Sequence, residues 1–207
     1  MRWYGKQLLV FLIVLLASGV SAFGQQKPVR KITNIAGDLY RFQNRFHFSV
    51  FLVTRAGVIA TVPINADAAR WLKTELKKRF NNPVKYLFYS HDHADNSSGG
   101  EVFADTAVVV AHDKTKATII GEKRPTVVPD IIFSDRMTID LGGKTVKLVY
   151  VGRGHSDNMI AMNFGAERAL FAVDFVEVKS VAYKRLNDSY FPNWMGSIRV
   201  IEGIDSM

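Results

Sequence analysis

The stretch Ser90-His91-Asp92-His93-Ala94-Asp95-Asn96-Ser97-Ser98-Gly99-Gly100 decides how this chain folds and what it can do. It follows an apolar run, residues 84–89, of the kind that forms a buried strand. Two of the five histidines and a carboxylate then fall at i, i+2 and i+4. In extended backbone alternate residues share a face. The spacing therefore predicts that His91, His93 and Asp95 converge at a strand's end, where imidazole nitrogens and a carboxylate oxygen can hold Zn²⁺ or a similar metal. A helix or tight turn is expected at Ser97-Ser98-Gly99-Gly100. The plainer alternative, a polar strand end with solvated histidines, leaves the regular alternation of ligand types without a cause.

Upstream, short strands are expected over residues 32–36, 39–42, 48–54 and 58–62, with turn signals at Gly37-Asp38 and Ala56-Gly57, which together suggest a meander. Asn65 then caps a helix in which Ala68, Leu72 and Leu76 recur at i+4 and Trp71 and Phe80 widen the stripe, until Asn81-Asn82-Pro83 ends it. Downstream come a strand over 106–111, a helix over 113–120 and a loop over 121–130. Strands over 137–141 and 145–151 flank the hairpin signal Gly142-Gly143, and 160–164 and 169–173 repeat the pattern around Gly165-Ala166-Glu167. Trp194, Ile198, Ile201 and Ile204 fall at helical spacing. The order predicts a layered α/β domain with its site at the strand ends.

Two further residues sit where such a site would need them. His155 lies in the turn Gly152-Arg153-Gly154-His155-Ser156-Asp157-Asn158 directly after one strand, and Asp174 follows another. Their bland alternatives are a turn histidine bonding its own backbone and a capping carboxylate. His47, between Phe46 and Phe48, is expected to be a partly buried structural residue. His112, before Asp113 at a helix start, is expected to have a capping-region or surface role rather than a catalytic one, and Arg153 to be an exposed loop residue that could meet an anionic substrate.

These motifs resemble those of the metallo-β-lactamase superfamily. His91-Asp92-His93-Ala94-Asp95-Asn96 is similar to its His-x-His-x-Asp-His signature, with Asn96 in the last slot. The turn around His155 is similar to its third metal motif and Leu170-Phe171-Ala172-Val173-Asp174 to its fourth, over a match spanning residues 32–207. The resemblance implies an αββα sandwich in which His91, His93 and His155 bind one zinc, while Asp95, Asp174 and one more histidine bind a second. Three departures accompany it. Asn96 replaces an imidazole, Val62 stands where the family commonly has an Asp that braces the metal loop, and no histidine follows His155, so the domain is expected to be C-terminally incomplete and its second metal position weak.

The resemblance implies a zinc-dependent hydrolase that activates a water to cleave an ester, thioester or lactam, with Asp95 orienting that water or acting as its base. A lactam is the least expected of these, since Glu177 stands where true metallo-β-lactamases commonly have a Lys, although Lys179 is near. Two rivals stand beside it. His91, His155 and Asp174 could form the two-His-one-carboxylate set of a mononuclear iron enzyme, similar to the sulfur dioxygenases of this fold. A degenerate or truncated, non-catalytic member is the other, favoured by Asn96, Val62 and the missing histidine.

Composition narrows the setting. Arg2 and Lys6, an apolar run over 8–17 and Val20-Ser21-Ala22 make residues 1–22 an expected secretory signal, leaving 23–207 as one domain that is exported, periplasmic or secreted, with no stable membrane insertion after cleavage. Removing that segment lowers the formal charge from +8 to +6, and the remaining excess is spread except for Lys73, Lys77, Lys78 and Arg79 on one helix. No basic stripe interleaved with aromatics argues for nucleic acid, so a small-molecule substrate is expected. The chain has no cysteine, which excludes a thiol nucleophile, a Cys-ligated metal and disulfide support.

Overall fold

A computed structural model describes residues 28–176 and 189–204. The expected export signal lies outside the described residues, as do Glu177 and Lys179. The meander forms as antiparallel neighbours β1 (Arg30–Ala36), β2 (Leu39–Asn44), β3 (His47–Thr54) and β4 (Gly57–Thr61). Helix α1 (Ala66–Phe80) then carries the chain back, so β5 (Val84–Phe88) pairs parallel to β4. Asn65 starts α1 by accepting the Ala68 amide at 2.9 Å, and Asn81 ends it in left-handed backbone, its N–H donating to Lys77.

After β5 come a one-turn helix α2 (Ala94–Ser97), strand β6 (Val108–His112), α3 (Asp113–Gly121) and β7 (Ile131–Phe133), which complete a seven-stranded sheet in chain order. Strands β8 (Arg136–Leu141), β9 (Lys144–Gly152), β10 (Met159–Phe164) and β11 (Ala169–Phe171) form a second, antiparallel sheet, followed by α4 (Phe191–Glu202).

The side-chain alternation of the strands sorts the core into three layers. Phe51, Val58, Ala60, Leu87 and Val109 face α1 and bury Ala68, Ala69, Leu72 and Leu76. Their neighbours Leu52, Ile59, Phe88 and Val110 face the second sheet and meet Val146, Leu148, Ile160 and Met162. The other face of that sheet, Val149, Val151, Met159 and Ala161, is covered by Trp194 and Ile204, with Ile198 and Ile201 alongside. Helix, sheet, sheet, helix is the αββα sandwich that the resemblance implies.

Several strands differ from expectation. The motif strand ends at Phe88, one residue early, and β6 starts at Val108 because the amides of Thr106 and Ala107 are turned onto the Phe103 carbonyl. β11 stops at Phe171, which leaves Val173 and Asp174 in a turn, and β7 is a strand of three residues that carries too little pattern to read.

Candidate metal centre

The strand ends β5 and β9 bring the three histidines together. Donor atoms of His91, His93 and His155 all lie within 4.8 Å of one another. Their rings meet edge to face, with centroids 4.5 Å apart for His91 and His93, 4.8 Å for His93 and His155, and 5.2 Å for His91 and His155. His155 Nε2 and His93 Nδ1 are 3.1 Å apart. Four-coordinate zinc with Zn–N bonds of about 2.0–2.1 Å places neighbouring ligand nitrogens about 3.3 Å apart. The cluster fits such an ion.

His91 is wholly buried, and its Nδ1 lies 3.0 Å from Ser90 Oγ. With Nδ1–H donating to that hydroxyl, the Nε2 lone pair faces the cluster. Burial, then the neighbouring His93, His155 and Arg124, hold its pKa well below the ordinary imidazole value, so the ring is neutral and able to ligate.

The carboxylates stand beside this set rather than in it. Asp95 does not share the histidines' face, because the backbone is not extended there: His93 is the N-cap of α2, and Asp95 sits in that helix's first turn. A helical turn rotates the residue after a cap by about 100° instead of the 180° of a strand. Asp95 Oδ2 instead lies 3.3 Å from Nε2 of His47, which comes from the start of β3 and is a neighbour of the site rather than a structural histidine remote from it. Asp174, at φ 59° in the turn after β11, places Oδ2 3.8 Å from His91 Nε2. Between the two carboxylates lies Asn96, 2% exposed, whose Nδ2 donates to Asp174 Oδ2 at 2.7 Å and to Asp95 Oδ1 at 3.2 Å.

No family model matches the chain. It is 28% identical over 154 residues to the 2,4-dinitroanisole O-demethylase subunit alpha of Nocardioides sp. (strain JS1661), over 72% of this chain and 47% of that one, so the chain spans about half the length of that relative. It is 22% identical over 215 residues to the metallo-β-lactamase type 2 of Elizabethkingia meningoseptica, over 98% of this chain and 82% of that one. The solved metallo-β-lactamase from Pontibacter korlensis superposes with a TM-score of 0.73 at 20% identity, over 84% of this chain and 85% of that one. The chain has the metallo-β-lactamase fold.

In this example of the metallo-β-lactamase fold, the two histidine loops are tied together by Asp92, a residue the sequence offers no reason to single out. Its Oδ1 accepts from Asn158 Nδ2 at 2.7 Å and Ser156 Oγ at 3.4 Å, and its Oδ2 pairs with Arg124 Nη2 at 2.8 Å. Asn158 returns the contact, its Oδ1 accepting the Asp92 amide at 2.9 Å, while Arg124 also donates to the Asp92 carbonyl. Asp92 alternates with His91 and His93 in sequence, so it points away from the cluster and anchors the backbone that presents them. Arg124 and Asn158 were legible only as a loop cation and a motif position.

The remaining residues divide simply. His112 caps α3 as expected, its Nδ1 accepting the Lys114 amide at 3.2 Å and its Nε2 lying 3.0 Å from the Ser134 carbonyl. Arg153 is exposed and lies over the Tyr190 ring. Val62, in the slot where the family commonly has a bracing Asp, is a core residue packed in the α1 layer at φ 38°. Trp194 of α4 meets His155 edge-on and stacks between Phe175 and Phe191. It gives that ligand an apolar wall.

Proposed function

We propose that the protein is a metal-dependent hydrolase in which His91, His93 and His155 hold one zinc ion. The observation that carries this is the mutual approach of their donor atoms within 4.8 Å. Zinc held by these three histidines would supply the chemistry of the centre, lowering the pKa of a water to about 7 and polarising a carbonyl. Asp95, which stands beside the histidines with its Oδ2 against His47 Nε2, would be the residue to orient the water and take up its proton. Asp92, Asn158 and Arg124 position the two loops, and Trp194 packs edge-on against His155.

The substrate is a small molecule with a hydrolysable carbonyl: an ester, a thioester or a lactam. The activity belongs outside the cytoplasm, on the strength of residues 1–22; no helix among the described residues is long and apolar enough to cross a membrane. No basic stripe supports a nucleic-acid partner.

The test is metal analysis of the purified full chain followed by turnover of an ester, thioester and lactam panel, with and without His91→Ala. One equivalent of zinc and a hydrolysis that His91→Ala abolishes support the reading. Iron in place of zinc, with oxygen uptake on a persulfide, transfers the site to the iron reading, which the 3.8 Å approach of Asp174 to His91 favours. Absence of stoichiometric metal, or metal without turnover of any panel member, leaves a non-catalytic domain.

A further inference from the structure

Among the described residues, a site for a second cation would draw on Asp95 and Asp174, the two carboxylates joined through Asn96 beside His91. A pair of carboxylates facing one another is stable only when something positive, or a hydrogen-bond donor, lies between them. In this chain that place is filled from within. Asn96 Nδ2 donates to Asp174 Oδ2 at 2.7 Å and to Asp95 Oδ1 at 3.2 Å, and stands 3.4 Å from His91 Nε2. An amide nitrogen carries two hydrogens, and the two carboxylate contacts use both. The side chain is buried, so the group that holds the carboxylates is shielded from exchange with solvent. Asp95's other oxygen is taken by His47 at 3.3 Å.

We propose that the Asn96 carboxamide stands in for a second metal ion and restricts the centre to one. The amide bridges the same two carboxylates that a second cation would bridge. It also fixes Asp95 in the orientation needed beside the histidines without the charge of a dication, and so keeps a single-metal geometry at any metal supply. The inference rests on the histidine centre of the proposed function, and Asn96 acts through Asp95 and Asp174 as a positioning residue.

The substitution Asn96→Asp is the direct test, because it changes an NH₂ for an oxygen at nearly constant volume and turns the bridging donor into a third carboxylate. Three carboxylates at hydrogen-bond distance are relieved by a shared proton or by a cation, and at neutral pH with excess zinc the cation competes for that place. Zinc content after equilibration with excess metal and desalting, and calorimetric titration of the apoprotein, are measured on the full chain, the Asn96→Asp variant and an Asn96→His variant. The expected result is one equivalent for the native chain and two for Asn96→Asp, with the second tight enough to survive desalting.

Two equivalents on the native chain overturn the inference while leaving the hydrolase reading intact. So does one equivalent on both variants when their circular dichroism and melting match the native chain. Should both variants fail to fold, the native stoichiometry decides: one equivalent up to millimolar zinc supports the inference and a second overturns it. No equivalent on the native chain overturns the histidine centre itself, and this inference with it.

Discussion

Replacing Asp92 with alanine should both destabilise the protein and loosen its metal centre. The carboxylate is about nine-tenths buried, its side chain 8% exposed, and it satisfies Arg124, Asn158 and Ser156 at once. Removing one member of a buried ion pair costs about 3–5 kcal/mol, because the partner is left unpaired. Arg124 keeps 22% exposure and can partly rehydrate, which places the loss at the lower end, about 3 kcal/mol. With a urea m-value of roughly 2–3 kcal/mol per molar, the unfolding midpoint should fall by about 1–1.5 M. The same anchor joins the His91–His93 loop to the His155 loop, so zinc affinity should fall by about 10–100-fold, the usual scale for a partner one shell out.

Urea unfolding of chelator-treated protein measures the first effect, and competition with a colorimetric zinc chelator measures the second. Asp92→Asn, which keeps the size but not the charge, should fall between the native chain and Asp92→Ala in both. A midpoint shift below about 0.3 M in Asp92→Ala, together with unchanged zinc affinity, would show that the loops are held by something else, and the positional role given to Asp92 would be wrong.

Further outcomes follow from particular contacts. Gly99 sits at φ 94° with the Asn65 carbonyl carbon 2.5 Å from where a Cβ would be, so Gly99→Ala must push the motif loop off the start of α1; it should lower the melting temperature markedly, by roughly 3 kcal/mol of stability, and a melt within a degree or two of native would contradict that. Asp95→Asn should lower kcat by about 10²–10⁴-fold and leave zinc content unchanged, and His47→Gln, altering only the neighbour of Asp95, should cost less; equal zinc loss and rate loss in Asp95→Asn would make Asp95 a ligand instead. His91 and His112 both have pKa values depressed below 6.5, burial being the largest cause in each. The unfolded chain accepts protons there that the folded one resists, so metal-free stability is complete above about pH 6.5 and declines as pH drops through that value towards the depressed folded pKa values. Urea midpoints at pH 7.5 and 5.5 check this, and His112→Gln should flatten the slope; a midpoint that holds or rises on acidification would count against it.

Much of the architecture was legible because it is written in short-range periods. The i+4 spacing of Ala68, Leu72 and Leu76 marks one helix face, and the helical spacing of Trp194, Ile198 and Ile201 marks another; both cover sheets as that pattern requires. Alternation in β3, β5, β9 and β10 assigns each residue to a layer. The three histidines were legible too, since each follows a strand and strand ends gather at one edge. The alternation behind the expectation for Asp95 assumed strand, whereas the chain turns helical at Ala94. The three residues of β7 are too few to show any period.

By itself the sequence determined a layered α/β domain and the metal-binding potential of His91, His93 and His155, because apolar periodicity and ligand type are properties of neighbouring residues; the sandwich arrangement was what the family resemblance implied. Only the tertiary structure decided how the site is completed. Asp92 meets Asn158 across 66 positions, Asn96 meets Asp174 across 78, and His47 meets Asp95 across 48. Contacts at such separations leave no trace in local pattern; they exist because two sheets, packed face to face to bury Leu52, Ile59, Leu148 and Ile160, bring distant loops to the same rim.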